Sequence, residues 1–178
     1  MAAMLFNQYT FLLWWVALMA VFRQFTDVYT TVDVLGRKKQ RVNLLFAVLV
    51  FFPVFRLAAF GPILGDVWAY VRGYEGLSGQ FSDVIDCLKN NESGFGYETF
   101  ERLLKWLISG DRTVYRVAVA LIHSIPLVLI LRRYSEDYLL SVFLFIAGTY
   151  HIAWMMNGLR QFVAIVIIFS ALPLMVQR

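Results

Sequence analysis

Long apolar blocks separated by short polar stretches dominate this chain. A helix needs roughly 20 apolar residues to cross a bilayer, and several blocks approach that length. The blocks are Leu5–Phe22, Val42–Phe60, Thr113–Leu131, Tyr138–Met156 and Leu159–Val176. The pattern predicts an all-α integral membrane protein with about five transmembrane helices. Pro53 and Arg56, in the last third of the second block, predict a kink or an early exit there.

The polar stretches predict a topology. Residues 23–41 carry five Lys and Arg against two acidic residues, so the positive-inside rule places this connection in the cytoplasm. If the spans alternate, the N-terminus and the long connection 61–112 lie outside. The other basic ends then fall inside with residues 23–41: Arg132, Arg133 and Arg178.

The external connection is predicted to contain short helices. Apolar residues recur with helical spacing from Tyr97 to Ile108, which favours an amphipathic helix in the outer membrane interface. Residues 65–74 predict a similar, shorter helix. Gly94-Phe95-Gly96 is expected to break any regular element between them.

Composition supports a membrane protein. The chain is 60% hydrophobic, 17% aromatic and 16% charged, whereas soluble proteins are roughly 45–50% apolar and about 25% charged. The net charge of +4 does not predict nucleic-acid binding, because the basic residues lie where they would set topology. Cys87 is the only cysteine, which excludes an intrachain disulfide. The first block, without a basic n-region, is interpreted as a retained anchor.

Residues 157–161 place Asn, Gly, Arg and Gln between two apolar blocks. A guanidinium there must reach water or meet an anion, because a buried unpaired charge is costly. Arg160 and the start of the last helix would both attract an anion such as phosphate. The same side of the membrane is predicted to carry the other candidate polar residues: Arg56, Asp66, Tyr70, Glu92 and Glu98.

These motifs resemble those of a known family. An Arg near the end of the second span is followed by Gly-Asp-(x3)-Tyr, by Glu-x-Gly-Phe before an amphipathic helix, and by Tyr-(x3)-Trp-(x2)-Asn-Gly-Leu-Arg-Gln ending at Gln161. This order resembles the EpsG family of Wzy-type polysaccharide polymerases. Family members are longer, so the resemblance implies that residues 1–178 are a single transmembrane domain from the N-terminal part of a longer polymerase.

The resemblance implies a glycosyltransferase of the bacterial cytoplasmic membrane, similar to metal-independent enzymes of the C-type fold. It would need no cofactor and would join undecaprenyl-pyrophosphate-linked oligosaccharide repeat units in capsular or exopolysaccharide biosynthesis. Its expected partners are this lipid-linked oligosaccharide, membrane lipid and other polysaccharide-biosynthesis membrane proteins.

The resemblance also suggests roles for residues. Arg160, with Arg56 as a second candidate, would stabilise the lipid pyrophosphate leaving group. Asp66 or Glu98 would accept the proton of the acceptor hydroxyl, and His151 is a further catalytic candidate. The remaining predicted substrate-binding residues are Tyr70, Glu92, Asn157 and Gln161.

Structural alternatives stand beside each role. Arg160 could extend to the outer headgroups, Asp66 could cap a helix, and the glutamates could be solvated. His123 is interpreted as an interhelical hydrogen-bonding group, and His151 has the same alternative. The two histidines lack a third obvious ligand, so no metal is expected. The functional alternatives are a transporter or flippase component for lipid-linked sugars and a non-catalytic membrane scaffold.

Overall fold

The computed structural model describes residues 2–23, 29–32, 38–63, 65–90, 95–148 and 158–176. Within these ranges the chain forms eight helices and one small antiparallel hairpin, so the predicted all-α class is confirmed and the hairpin is an addition. The elements are α1 Ala2–Phe22, β1 Tyr29–Val32, β2 Lys38–Arg41, α2 Leu44–Phe60, α3 Val67–Glu75, α4 Phe81–Asn90, α5 Phe95–Ile108, α6 Arg112–Tyr134, α7 Tyr138–Ala147 and α8 Leu159–Val176.

Short polar side chains begin three of the apolar helices. The Asn43 side chain accepts a hydrogen bond from the Leu45 N–H at the start of α2. Asp111 and Asp137 do the same for α6 and α7. Such caps satisfy backbone donors that have no partner inside the helix. The polar residues between the apolar blocks therefore fix where these helices begin.

One helix among the described residues, α6, is long and apolar enough to cross a bilayer by length and composition. The apolar helical segments of the other blocks are shorter, at 10 to 17 residues. They are Thr10–Phe22, Leu44–Phe60, Tyr138–Ala147 and Leu159–Ala171. The second block shows no early exit, because α2 continues through Pro53 to Phe60.

The fourth block is not one continuous helix, so its predicted extent was wrong. Helix α7 ends at Ala147, and Gly148 follows in an extended conformation while its N–H donates to the Leu144 carbonyl. Helix α7 has 10 residues, and at 1.5 Å per residue it is about 15 Å long, half the hydrocarbon thickness. Apolar composition alone concealed this end, because Gly148 interrupts the helix without interrupting the hydrophobic run.

The buried side chains form two clusters that share α6 and α8. The first cluster joins α1, α2, α7, the C-terminal half of α6 and Val166 of α8. Its members include Val50, Val54 and Val142, which are fully buried. The second cluster joins α3, α5 and the start of α8 to the N-terminal half of α6. Helices α6 and α8 therefore attach the short helices to the apolar bundle.

Polar contacts show which helix ends lie together. At one end, Arg23 after α1 forms an ion pair with Asp137 before α7, at 2.8 Å. At this end too, Arg132 Nε near the end of α6 donates to the Val42 carbonyl just before α2, at 2.7 Å. The ends of α1 and α6 thus lie beside the starts of α7 and α2. The alternation of the spans and the side of the membrane on which each end lies stay predictions.

Large apolar side chains cover much of the outer surface of the bundle. Trp14, Leu45 and Ile168 are 71%, 67% and 63% exposed. Other exposed apolar residues lie on α2, α6 and α7, including Phe52, Ile125 and Leu144. Soluble monomers rarely expose contiguous apolar patches larger than a few hundred Å². This surface is what a bundle surrounded by lipid requires.

The loop between α2 and α6 contains more helix than the sequence analysis predicted. The short helix expected over residues 65–74 is present as α3, and the expected amphipathic helix is present as α5. The expected break does not include Phe95 and Gly96, which begin α5, and Gly94 lies outside the described residues. Helix α4 was not predicted.

Candidate active site

Arg160 lies in the first turn of α8 and is exposed to solvent. Its guanidinium carbon stands 5.4 Å from the ring centre of Tyr70 and 5.5 Å from that of Tyr97. These distances are within the range of cation–π attraction. Helices α3, α5 and α8 therefore meet around one cation, although Tyr70 and Arg160 are far apart in the sequence.

The two tyrosines also contact each other. Their ring centres are 5.4 Å apart and the rings are inclined at 64°, an edge-to-face arrangement. Tyr70 follows Asp66 by one helical turn, since its N–H donates to the Asp66 carbonyl at 3.2 Å. The helical spacing predicted for Asp66 and Tyr70 is thus confirmed. The Asp66 side chain is exposed and makes no capping hydrogen bond.

Two glutamates of α5 lie one turn apart on this side of the helix. Glu101 is partly buried, and its Oε1 accepts a hydrogen bond from the Tyr115 hydroxyl of α6 at 2.8 Å. The Tyr115 hydroxyl is in turn 2.9 Å from the Tyr97 hydroxyl. The chain Tyr97, Tyr115 and Glu101 connects α5 to α6. Glu98 is also partly buried and acts electrostatically on Glu101.

Further contacts hold the hydrogen-bonded series Tyr97, Tyr115 and Glu101 in place. The Tyr74 ring stacks on the Tyr115 ring with centres 4.3 Å apart. Lys105 Nζ lies 4.6 Å from the centre of the Tyr74 ring and donates to the Gly110 carbonyl at 3.2 Å. Tyr74 and Tyr115 are almost completely buried. The hydroxyl that reaches Glu101 is therefore held by a ring that cannot move freely.

Burial is the largest influence on the ionisation of Glu101, and it raises the pKa of this carboxyl group. The hydrogen bonds of Tyr115 and Tyr97 and the positive charge of Arg160 lower that pKa, whereas the charge of Glu98 raises it. The net pKa of Glu101 is above the ordinary glutamate value. Burial, followed by the charge of Glu101, also raises the pKa of the Tyr97 hydroxyl.

The arrangement combines an exposed cation with a partly buried carboxyl group. Arg160 makes no ion pair with any residue that the structure describes, so its N–H groups remain available to an anion. Arginine suits phosphate because its planar fork can donate two hydrogen bonds at once. A carboxyl group beside such a cation can exchange a proton with a ligand bound there. The arrangement therefore places a group suited to anion binding and a group suited to proton transfer in one cluster.

The structure brings three of the predicted residues together: Tyr70, Glu98 and Arg160. Gln161 follows Arg160 and is exposed, and Arg56 is exposed on α2 without a hydrogen bond or ion pair to the described residues. Within the described residues, neither makes a hydrogen bond, ion pair or ring contact with the Arg160 cluster, which comprises Tyr70, Tyr97, Glu98, Glu101 and Arg160. The predicted site residues Glu92, His151 and Asn157 lie outside the described residues.

Sequence reasoning missed Glu101, Tyr97 and Tyr115 as functional candidates. The available signal was the i, i+4 spacing of Tyr97 and Glu101 with Glu98 beside them, on the helix face opposite Thr99. His123 on α6 is buried, and its Nδ1 lies 3.0 Å from the Val119 carbonyl. This contact lies within α6 itself, so the interhelical hydrogen bond predicted for His123 stays a prediction. Within the described ranges, no group of three His, Cys, Asp or Glu side chains is placed to hold a metal ion.

Comparison with known proteins gives one finding on identity. Residues 42–178, most of the chain, match the model of the EpsG family. Neither the curated proteins nor the solved structures include a match. The matched range contains every described residue of the Arg160 cluster. The EpsG family is one of membrane proteins of polysaccharide biosynthesis. The predicted resemblance is confirmed, and the chain belongs to the EpsG family.

Proposed function

We propose that this chain forms part of a membrane glycosyltransferase that joins undecaprenyl-pyrophosphate-linked oligosaccharide repeat units. Family membership supports polymerisation in polysaccharide biosynthesis. The observation that carries the finer proposal is the Arg160 cluster, where an exposed guanidinium lies against the rings of both Tyr70 and Tyr97 on the same side as two glutamates. The substrate has the matching parts: a pyrophosphate, sugar rings and hydroxyl groups.

Arg160 is proposed to bind the pyrophosphate of the donor. Negative charge develops on this group as the bond from the anomeric carbon to the phosphate oxygen breaks. A guanidinium held in place before the reaction stabilises that charge without reorganising. Tyr70 and Tyr97 restrain the guanidinium and present ring surfaces on which sugar C–H groups can pack. Gln161 and Asn157 remain proposed donors to the same ligand.

The second arginine and the acidic candidates keep their proposed roles. Arg56 is a second cation for the pyrophosphate, and its exposure leaves it accessible to a lipid headgroup. Asp66 and Glu98 remain proposed proton acceptors, and Glu92 and His151 remain proposed site residues. The C-type fold stays a prediction, because no solved structure matches the chain. The assignment of this chain to the N-terminal part of a longer polymerase also stays a prediction.

An elongation assay tests the proposal. A host deleted for this gene supplies a lipid extract that contains the unextended lipid-linked repeat unit. Membranes carrying the protein should convert that extract into a ladder whose steps differ by one repeat unit, resolved by mass spectrometry. A transporter would instead move the repeat unit across liposomes and leave its length unchanged. A product of one repeat unit only, with the protein present in the membrane, would refute the polymerase.

A further inference from the structure

We propose that Glu101 is the catalytic base of this site and that Tyr115 is its positioning residue. Glu101 would take the proton of the acceptor hydroxyl during glycosyl transfer. The inference rests on the proposed function, because it assigns a role within the same reaction. It adds a residue that the sequence motifs do not contain.

Hydrogen bonds and ring stacking hold the Glu101 carboxyl group in a defined orientation. Tyr115 donates to Glu101 Oε1 at 2.8 Å, and Tyr97 holds the Tyr115 hydroxyl at 2.9 Å. The Tyr115 ring is itself fixed by stacking on Tyr74. A base must keep its oxygen within hydrogen-bonding reach of the proton that it removes. Among the acidic residues described in the α2–α6 loop, Glu101 is the one whose carboxyl group a buried tyrosine orients.

Glu101 is also linked to the Arg160 cation through Tyr97. Tyr97 contacts Arg160 through its ring and Tyr115 through its hydroxyl, so one residue links the cation to the Glu101 chain. The charge of Arg160 is also felt at Glu101. A donor pyrophosphate on Arg160 would therefore place its anomeric carbon near Glu101. Asp66, by contrast, is exposed just before α3, and its side chain makes no capping hydrogen bond to that helix.

The surroundings of Glu101 also influence how readily its carboxylate accepts a proton. The groups that face Glu101 are Glu98 and Tyr97 on α5, Tyr115 on α6 and Arg160 on α8. On the opposite face of α5, Thr99 contacts Cys87 of α4. Burial raises the pKa of Glu101 above its ordinary value. A carboxylate with a raised pKa is a stronger base and accepts a hydroxyl proton more readily.

In the proposed step, one bond forms at the anomeric carbon as another breaks. The acceptor oxygen forms a bond to the anomeric carbon of the donor while the bond from that carbon to the phosphate oxygen breaks. The electron pair of the broken bond leaves with the lipid pyrophosphate, whose charge Arg160 stabilises. The hydroxyl proton passes to Glu101, which later releases it to water. The reaction needs no oxidant, reductant or further co-reactant.

The test is the elongation assay with Glu101→Gln, which keeps the shape of the side chain and an acceptor for Tyr115. General base catalysis contributes typically 10²–10⁴-fold, so we expect the elongation rate to fall by at least about 10²-fold. Glu101→Asp should retain part of the activity. Glu75→Gln, an exposed substitution on α3, is the matched control and should elongate like the unmodified protein.

A pH profile separates catalysis from structural support. Activity that depends on the ionised base rises with pH through the pKa of Glu101. Tyr115→Phe removes a hydrogen bond that lowers this pKa, so the acid limb of the profile should move to higher pH. A merely structural Glu101 would leave that limb in place in Tyr115→Phe. If Glu101→Gln does not reach the membrane, the activity of Glu101→Asp and the pH profile of Tyr115→Phe test the role of Glu101 instead. An unchanged rate in Glu101→Asp together with an unmoved acid limb in Tyr115→Phe would overturn it.

The outcomes distinguish the two proposals. If the unmodified protein does not elongate the lipid extract, the proposed function fails and the role of Glu101 fails with it. If the unmodified protein elongates and Glu101→Gln matches its rate and pH profile, the assignment of Glu101 alone is overturned.

Discussion

Replacing Arg160 by alanine removes the cation on which the proposed site depends. The two aromatic contacts, at 5.4 and 5.5 Å, involve an exposed guanidinium. Each contact is then worth about 0.5–1 kcal/mol. The free energy of unfolding should therefore fall by about 1–2 kcal/mol at most. Because both clusters of buried side chains remain, we expect Arg160→Ala to fold and to enter the membrane.

The effect on catalysis should be larger than the effect on folding. Loss of one group that stabilises developing negative charge lowers the rate by about 10²–10³-fold, or roughly 2.7–4 kcal/mol. Arg160→Lys keeps the charge but loses the planar fork, so it should be intermediate. The elongation assay measures the rate, and quantification of the protein in the membrane fraction corrects for expression.

Arg72→Ala is the matched control. Arg72 is also an exposed arginine over an aromatic ring, 4.6 Å from the centre of Trp68, and it is not part of the Arg160 cluster. With one ring contact instead of two, Arg72→Ala should lose about 0.5–1 kcal/mol of stability and keep the chain-length distribution. Polymers of normal length from Arg160→Ala, at normal protein levels, would refute the anion-binding role. An equal loss of activity in Arg72→Ala would show that the effect is not specific.

Two further predictions concern the ends of the bundle. Asp137→Asn should weaken the contact with Arg23, and because these side chains are 40% and 30% exposed the loss should be under about 1 kcal/mol. Burial raises the pKa of Asp137, but hydrogen bonds from Arg23 and from backbone N–H groups lower it overall, so this stability is present at neutral pH and lost in acid. Arg116→Ala should cost about 1.5–3 kcal/mol, because Arg116 donates to the Ala58 and Gly61 carbonyls.

Thermal unfolding in detergent measures both substitutions. If Asp137→Asn and the unmodified protein differ as much at pH 3 as at pH 7, the ion pair does not explain the difference. Arg112→Ala, at an exposed position one turn before Arg116, is the control for the second substitution. A similar loss of stability in both arginine variants would contradict the bonding to the α2 carbonyls.

Hydrophobic pattern predicted the positions of the helices well, because a long apolar run or a 3.6-residue period is a local property of the chain. It predicted α5 from the spacing of Phe100, Leu104 and Leu107. Helix α4 carries the same signal at Phe81, Val84 and Leu88, which was overlooked. The end of α7 was not visible in hydropathy, since Gly148 lies within an apolar run.

The candidate site was only partly predictable for a different reason. Arg160 was visible as a charge between apolar blocks. The importance of Glu101 depends on Tyr115, which lies 14 residues away on another helix. An isolated glutamate on an amphipathic helix indicates a solvated face, and only the packing of α5 on α6 shows that a buried hydroxyl reaches it. Long-range pairing of this kind leaves no periodic signal.

The contact of Arg160 with two adjoining tyrosine rings has a consequence for how selectively a ligand is bound. A free arginine side chain carries about 2 kcal/mol of rotamer entropy, much of which is lost when a ligand immobilises it. Tyr70 and Tyr97 restrict the guanidinium before any ligand arrives, so that loss accompanies folding instead of binding. A phosphate then meets donors that already point in a limited set of directions. A ligand whose phosphate approaches from another direction gains less binding free energy from the same charge. The two rings therefore favour ligands that present the phosphate in one orientation.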